Sequence, residues 1–263
     1  MEATSAEHWQ MITDLLLDIE GTTCPTNFVS EVLFPYARKH LPTLIKQAQN
    51  DRECEKIIQN VWQEWLTDDD PKSQQLLQQV PNDAKNNPMN VLPYLEHLIT
   101  IDRKSTSLKE LQGKVWDHGY ATGDLTAELF PEVWSCLHAW KQAGFQLTVY
   151  SSGSIHAQKL LYSHTTLGDC SELFSHWFDT HIGPKKDANS YRNITTELAA
   201  EPGKILFISD SKEECDAAAS ADLRTLFSLR EGNPGLDPGN HTVITSLDQV
   251  MDLATTNMTK RKA

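Results

Sequence analysis

Positive charge is scarce in this sequence. Its 263 residues carry 23 Lys and Arg against 36 Asp and Glu, a formal net charge of −13. Nucleic-acid binders and polybasic membrane-surface proteins need the opposite balance, so neither class is expected. No apolar stretch approaches the roughly 20 residues of a membrane span. Met1 to Gln10 has neither a basic n-region nor an apolar h-region, so no signal peptide is expected. No Cys-x-x-Cys pair occurs. The five cysteines (Cys24, Cys54, Cys136, Cys170 and Cys215) are scattered and odd in number, which suits a reducing compartment rather than a disulfide framework or a zinc site. Without an export signal the sequons at Asn193, Asn240 and Asn257 carry no weight, and Lys260-Arg-Lys262 reads as a frayed basic terminus. Internal repeats and low-complexity segments are also absent. With 12 Gly, 12 Pro and 39% apolar residues, the chain is expected to be ordered: one large domain, or one domain carrying an inserted second. An acidic protein that handles an anion needs local cations, so any lysine near a site matters more here.

What is present begins with Asp14-Leu-Leu-Leu-Asp-Ile-Glu-Gly-Thr-Thr23. An apolar run bounded by Gly21 predicts a buried strand running into a turn, with Asp18 and Glu20 at its carboxyl end. Beyond it the period turns helical. Cys54, Ile57, Ile58, Val61, Trp62 and Trp65 share one face, as do Val91, Leu92, Leu95, Leu98 and Ile99, and less cleanly Leu108, Leu111, Val115 and Trp116. Asp68-Asp-Asp-Pro-Lys72 and Pro81 to Pro88 are expected to be loops, the first a solvated acidic one. Residues 27–126 therefore look like a helical insertion whose aromatic residues fill its own core. Afterwards strands alternate with helices. A helix is expected over Glu132–Ala143, stopped by Gly144, then a strand over Phe145–Tyr150 and a helix over Ile155–Tyr162. Ser190–Ala200 is expected to be helical, Lys204–Ile208 a strand, Lys212–Ala219 a helix and Thr225–Leu229 a strand. That alternation predicts a parallel α/β sheet.

Three of these strands end on polar residues: Asp18, Ser151-Ser152 and Asp210. In a parallel sheet the carboxyl ends share one edge, so residues far apart in the chain converge there. Each alone is an ordinary helix cap. In this order, with a lysine between the second and third, they suggest phosphate chemistry. A carboxylate nucleophile needs the charge of a phosphomonoester neutralised, which a hydrated Mg²⁺ on hard oxygen ligands can do. A Ser hydroxyl and helix N-terminal N–H groups can hold phosphate oxygens, and Lys185 can orient Asp18.

The order and wording of these pieces resemble the haloacid dehalogenase (HAD) superfamily: Asp18-Ile-Glu-Gly-Thr-Thr23, then Ser151-Ser152, then Lys185 in Ile182-Gly-Pro-Lys-Lys-Asp187, then Asp210. The resemblance implies a HAD-like Rossmannoid core over 1–26 and 127–263, with 27–126 as a helical cap of the C1 type. Leu33-Phe-Pro-Tyr36, Tyr150 to Lys159, Phe178-Asp-Thr-His-Ile-Gly183 and Leu206-Phe-Ile-Ser-Asp210 are similar to the enolase-phosphatases of methionine salvage. Glu20, where most HAD phosphatases carry Asp, is the most specific point of likeness. This implies conversion of 2,3-diketo-5-methylthiopentyl-1-phosphate to its enol and then to an acireductone plus phosphate, through an Asp18 phospho-enzyme. It also implies one Mg²⁺ held by Asp18, Asp210 and the main-chain carbonyl of Glu20, with Ser151, Ser152 and Lys185 on the phosphate. The Glu20 side chain, left free, is the expected enolisation base. A monomer in the cytoplasm, and in the nucleus as a second compartment, is expected, with a small phosphorylated diketone as partner and neither nucleic acid nor membrane.

Several alternatives stay open at this level. Lys186 competes with Lys185, which its place after Ile182-Gly183 favours. Pro184 restricts Gly183 to extended or turn geometry. Glu213, Glu214 and Asp216 compete as the supporting acid. Lys212 is expected on a helix surface, Gly232-Asn-Pro-Gly235 in an ordinary surface loop, and Cys24 as an inert thiol. No histidine is assigned to metal. Two rival functions remain: a HAD phosphatase for another small metabolite, and a catalytically silent HAD-fold binding module.

Overall fold

The computed structural model describes residues 12–81, 87–103 and 105–251. Met1–Gln10, the sequon at Asn257, the basic tail at 260–262 and most of the Pro81–Pro88 loop lie outside the described residues. The chain divides into two compact units, one formed by Met1–Phe28 with Thr126–Ala263 and the other by Val29–Leu125.

The first unit opens with β1, Asp14–Leu17. The second unit is helical: α1 (Phe34–Gln47), α2 (Arg52–Thr67), α3 (Pro71–Gln78), α4 (Leu92–Thr100) and α5 (Thr106–Thr122). α2 buries Cys54, Ile57, Ile58, Val61, Trp62 and Trp65, the face its spacing marks out, and Asp51 caps its start by accepting from Glu53 N and Cys54 N. Trp62 stacks on Trp65, and Trp65 on Tyr94, at centroid distances of 5.3 and 4.9 Å. Two expectations fail here. Pro71 and Lys72 open α3 rather than extending a loop, because Pro suits the first helical turn and Asp70 caps it through Ser73 N. Asp68 is not solvated: it is buried, and accepts from Tyr94 Oη at 3.0 Å, Arg103 Nη2 at 2.9 Å and Asp70 N at 3.0 Å. Burial alone would raise its pKa, but the hydrogen bonds from Asp70, Ser73 and Tyr94 more than offset that and hold it below the ordinary carboxylate value. The helix α1 carries Pro35 and Pro42, which hide its periodicity.

The first unit continues with α6 (Val133–Gln142), β2 (Gln146–Tyr150), α7 (Ile155–Ser163), β3 (Phe174–Phe178), α8 (Ala188–Glu197), β4 (Ile205–Ser209), α9 (Lys212–Ala219), β5 (Arg224–Ser228) and β6 (Thr242–Ile244). All pairings are parallel, in the order β3-β2-β1-β4-β5-β6. β1 and β4 are buried on both faces, which is why they appear as unbroken apolar runs. The edge strands β3 and β6 carry exposed polar positions and no such run, so periodicity does not reveal them. Register fixes the edge that matters: Leu17 lies level with Val149 and with Ile208. Asp18, Ser151 and Asp210 therefore leave three adjacent strands within a residue of the same level. No helix among the described residues is long and apolar enough to cross a membrane.

Candidate active site

Asp18 is buried immediately after β1. Its Oδ1 accepts from its neighbour Ile19 N at 2.8 Å and from Lys185 Nζ at 2.6 Å, and its Oδ2 lies 2.9 Å from Ser209 Oγ. The chain then turns sharply: the N–H groups of Thr22, Thr23 and Cys24 all point at Ile19 O, and Gly21 N donates to Cys24 O. This turn needs φ +69° at Gly21. A Cβ there would collide with the Asp210 carboxylate and lie 2.9 Å from Asn233 Oδ1. Glu20, partly exposed, stands on this turn.

Lys185 sits in the loop between β3 and α8, yet it is buried. Its ammonium bridges Asp18 and Glu214 Oε2, the latter at 2.7 Å. Burial opposes that charge, but the two carboxylates outweigh it and hold the lysine pKa above its ordinary value. The loop is held by three hydroxyls on three successive carbonyls: Tyr150 Oη donates to Gly183 O, Ser190 Oγ to Pro184 O and Tyr191 Oη to Lys185 O, at 2.9, 2.7 and 2.7 Å. Gly183 has φ +141°, a region that favours glycine, and a side chain there would run into Ser190. Pro184 is accommodated within this arrangement.

Of the competing residues, the structure brings Lys185 and Glu214 to Asp18 and leaves the others outside. Lys186 is exposed and lies 3.9 Å from the equally exposed Glu213. Lys212 pairs with Asp216, which also meets His241, on the surface of α9. Ser209 was not singled out by sequence, because it reads as the last residue of a strand. Its hydroxyl is within 2.9 Å of Asp18 and 3.0 Å of Glu214, while its oxygen accepts from Ser211 N. One O–H cannot donate to two carboxylates at once, so Lys185 carries most of their compensation. Burial, and then the charge of Asp18, push Glu214 above the ordinary carboxylate range.

Ser151 is buried after β2. Its Oγ accepts a long hydrogen bond from Gly153 N at 3.4 Å, and among the described residues nothing accepts its proton. Ser152 follows it on the same turn, and Ser154 caps α7 through Ala157 N. Cys24 is fully buried, and burial, with Glu20 and Glu128, raises its pKa, as expected of an unreactive thiol.

Gly232 and Pro234 are exposed, as expected of a surface loop, but Asn233 between them departs from expectation. Asn233 is buried, not part of an exposed turn: its Nδ2 donates to Gly21 O at 3.0 Å and to Ser228 O at 3.1 Å. Ser228 Oγ donates to the same Gly21 carbonyl at 2.9 Å. Beside them the buried Arg230 pairs with Glu132 at 2.6 Å and reaches Thr22 O and Thr245 O. These polar residues follow a strand with no motif of their own, so only the folded chain reveals that they clamp the Asp18 turn.

Asp210 follows β4, and among the described residues no hydrogen-bond donor serves its carboxylate. Burial, and next the charge of Asp18, push it up to about 7. Asp18, Asp210 and Glu214 against Lys185 give a formal charge of −2, which one divalent cation would balance. Among the described residues no three His, Cys, Asp or Glu side chains form a metal-holding group. A cation beside Asp18 and Asp210 would rest on two carboxylates and on neutral oxygens, the donor set of a hard ion that keeps several waters. The residues present fit Mg²⁺ on that chemistry.

A parallel sheet that gathers an Asp, a buried Lys and a second acid at its carboxyl edge is the arrangement of a haloacid dehalogenase-like hydrolase, and the family model of that description matches residues 15–222. The "Enolase-phosphatase E1" of Synechococcus sp. (strain CC9605) is 52% identical over 91% of this chain and 96% of its own length. That of Parasynechococcus marenigrum (strain WH8102) is 52% identical over 91% and 98%. The crystal structure of the UTR4 protein from Saccharomyces cerevisiae is similar with a TM-score of 0.67 and 31% identity, covering 89% of this chain and 98% of that one. The chain belongs to the enolase-phosphatase E1 family of haloacid dehalogenase-like hydrolases.

Proposed function

We propose that the chain is an enolase-phosphatase: it enolises a small phosphorylated diketone, the 2,3-diketo-5-methylthiopentyl-1-phosphate of methionine salvage, and then hydrolyses the phosphate ester. The observation that carries the chemistry is Asp18 held at 2.6 Å by a buried Lys185 at the carboxyl edge of the sheet. Asp18 attacks phosphorus, the bond from phosphorus to the substrate oxygen breaks as a neighbouring carboxyl group gives that oxygen a proton, and an aspartyl-phosphate forms. Lys185, Ser151 and the backbone N–H groups around Ser152 stabilise the phosphoryl oxygens. Water, giving a proton to the same carboxylate, then attacks the phosphorus of the phospho-enzyme and breaks its bond to Asp18, which releases phosphate and restores Asp18. Asp18, Asp210 and the Glu20 carbonyl would hold one Mg²⁺ per chain, which would supply Lewis-acid neutralisation of the phosphate and ketone oxygens.

Glu20 is the base for enolisation, taking a proton from the carbon next to the ketone. Its extra methylene reaches further than Asp would. The helical unit is assigned the role of a C1-type cap. The five cysteines are buried and unpaired, which favours a reducing compartment, and we place the protein there as a monomer, in the cytoplasm and nucleus.

The test follows the enol spectroscopically and phosphate release separately, with the diketo phosphate as substrate. Asp18→Asn is expected to lose phosphate release, and Glu20→Gln to lose enolisation. Phosphate release by Asp18→Asn at the wild-type rate would refute the nucleophile, and normal enolisation by Glu20→Gln would refute the base. Turnover of p-nitrophenyl phosphate with no enolisation by the wild type would point to another phosphorylated metabolite.

A further inference from the structure

The side chain of Asn233 is used on one side only. Its two amide protons go to the carbonyls of Gly21 and Ser228. Those two partners fix the orientation of the amide: flipped, it would set an oxygen against two carbonyl oxygens and leave both without a donor. Oδ1 must therefore face the other way, and there it has no partner, although the residue is only 8% exposed. What it faces is Asp210. The two side-chain oxygens meet across the space a Cβ on Gly21 would fill, and Gly21 has none. Asn233 Oδ1 is buried and the Asp210 carboxylate half-buried, and two acceptors facing each other across a gap call for a donor or a cation between them. Neither can supply a proton while Asp210 is ionised, and the described residues bring no donor to either.

We propose that Asn233 is a positioning residue of the cation site. Nδ2 fixes the carbonyl of Gly21, and Oδ1 is a neutral acceptor for a water of the cation bound at Asp210. The inference rests on the cation reading given under the proposed function. It adds an oxygen from the loop after β5 to a site otherwise drawn from β1 and β4. It also gives the burial of Asn233 a purpose: a neutral amide completes the shell without adding a further negative charge to a site that already holds −2.

The experiment measures Mn²⁺ binding to the full-length protein by the electron paramagnetic resonance of the free ion, with melting temperatures taken in chelator. The variants are Asn233→Ala and Ser228→Ala. Ser228 Oγ also holds Gly21 O, so Ser228→Ala loosens the same carbonyl and leaves Oδ1 in place. Loss of an outer-shell partner weakens metal affinity about 10- to 100-fold, and Asn233→Ala is expected to show at least a 10-fold rise in Kd. Ser228→Ala is expected to change it less than about threefold, even where both lower the melting temperature. Asn233→Leu, which keeps the volume, replaces Asn233→Ala if that variant does not fold. Wild-type affinity in the Asn233 variant would overturn the proposal, as would an equal loss in Ser228→Ala, which would mean that the clamp alone is felt. A wild type that binds no Mn²⁺ would overturn the cation reading itself, and this proposal with it.

Discussion

The sharing of one ammonium between Asp18 and Glu214 can be tested by a double-mutant cycle on Lys185 and Glu214. Lys185→Met keeps the stem and removes the charge. It leaves two carboxylates in a buried pocket with a single hydroxyl proton, from Ser209, between them. Breaking a buried ion pair in this way costs about 3–5 kcal/mol. Glu214→Gln is expected to be mild, within about 1 kcal/mol, since the amide oxygen can still accept from Lys185 and Ser209, and burial and the charge of Asp18 already disfavour the ionised form of Glu214. The double variant leaves Asp18 as the one carboxylate, still served by Ile19 N and Ser209. It should therefore recover on the order of 2 kcal/mol of the loss in Lys185→Met, a coupling in the range seen for side chains of one network. Urea unfolding of the four proteins in chelator, followed by tryptophan fluorescence, gives the cycle. If the double variant is as unstable as the two single losses added together, to within about 0.5 kcal/mol, then Lys185 is not shared and the electrostatic account of the site fails.

Two further outcomes follow from the geometry. Gly21→Ala forces a side chain into φ +69° and onto the Asp210 carboxylate, so a loss of about 3 kcal/mol or more is expected in urea unfolding; a loss below about 1 kcal/mol would show that the turn is not held in this shape. Asp68→Asn removes a buried charged acceptor from Tyr94, Arg103 and Asp70 and should cost about 2–3 kcal/mol near neutral pH. Because the folded carboxyl of Asp68 titrates below the ordinary value, its contribution is fully present above about pH 4 and is lost only as pH falls further. The gap between wild type and variant should therefore stay flat from about pH 8 to 5 and narrow below about pH 4; narrowing already at about pH 6 would contradict the sign of the shift.

Much of the sheet core was legible because buried parallel strands are apolar on both faces, so β1 and β4 stand out and the polar residues after them mark the edge. α2 was legible for the complementary reason: one face is apolar and its spacing is unbroken. α1 was not, since Pro35 and Pro42 interrupt the pattern, nor were β3 and β6, whose exposed positions erase the apolar run. At the site, Asp18, Lys185 and Asp210 could be found because each follows a recognisable strand or Gly. Ser209 could not, since a hydroxyl ending an apolar strand is ordinary. Asn233 and Arg230 act on backbone carbonyls far away in the chain, and such partners leave no periodic trace. Asp68 shows the reverse error: three acids in a row look solvated, yet one of them turns inward once Tyr94 arrives from α4 and Arg103 from the segment after it.

The three hydroxyls on the carbonyls of Gly183, Pro184 and Lys185 have a kinetic meaning. Tyr150 and Tyr191 belong to the core that packs against Phe207 and Ile205, so this loop cannot open without pulling on the sheet. In native-state hydrogen exchange its protection should track that of β2 and α8 rather than that of an ordinary connection. The packing that holds the sheet thus also holds Lys185 against its two carboxylates.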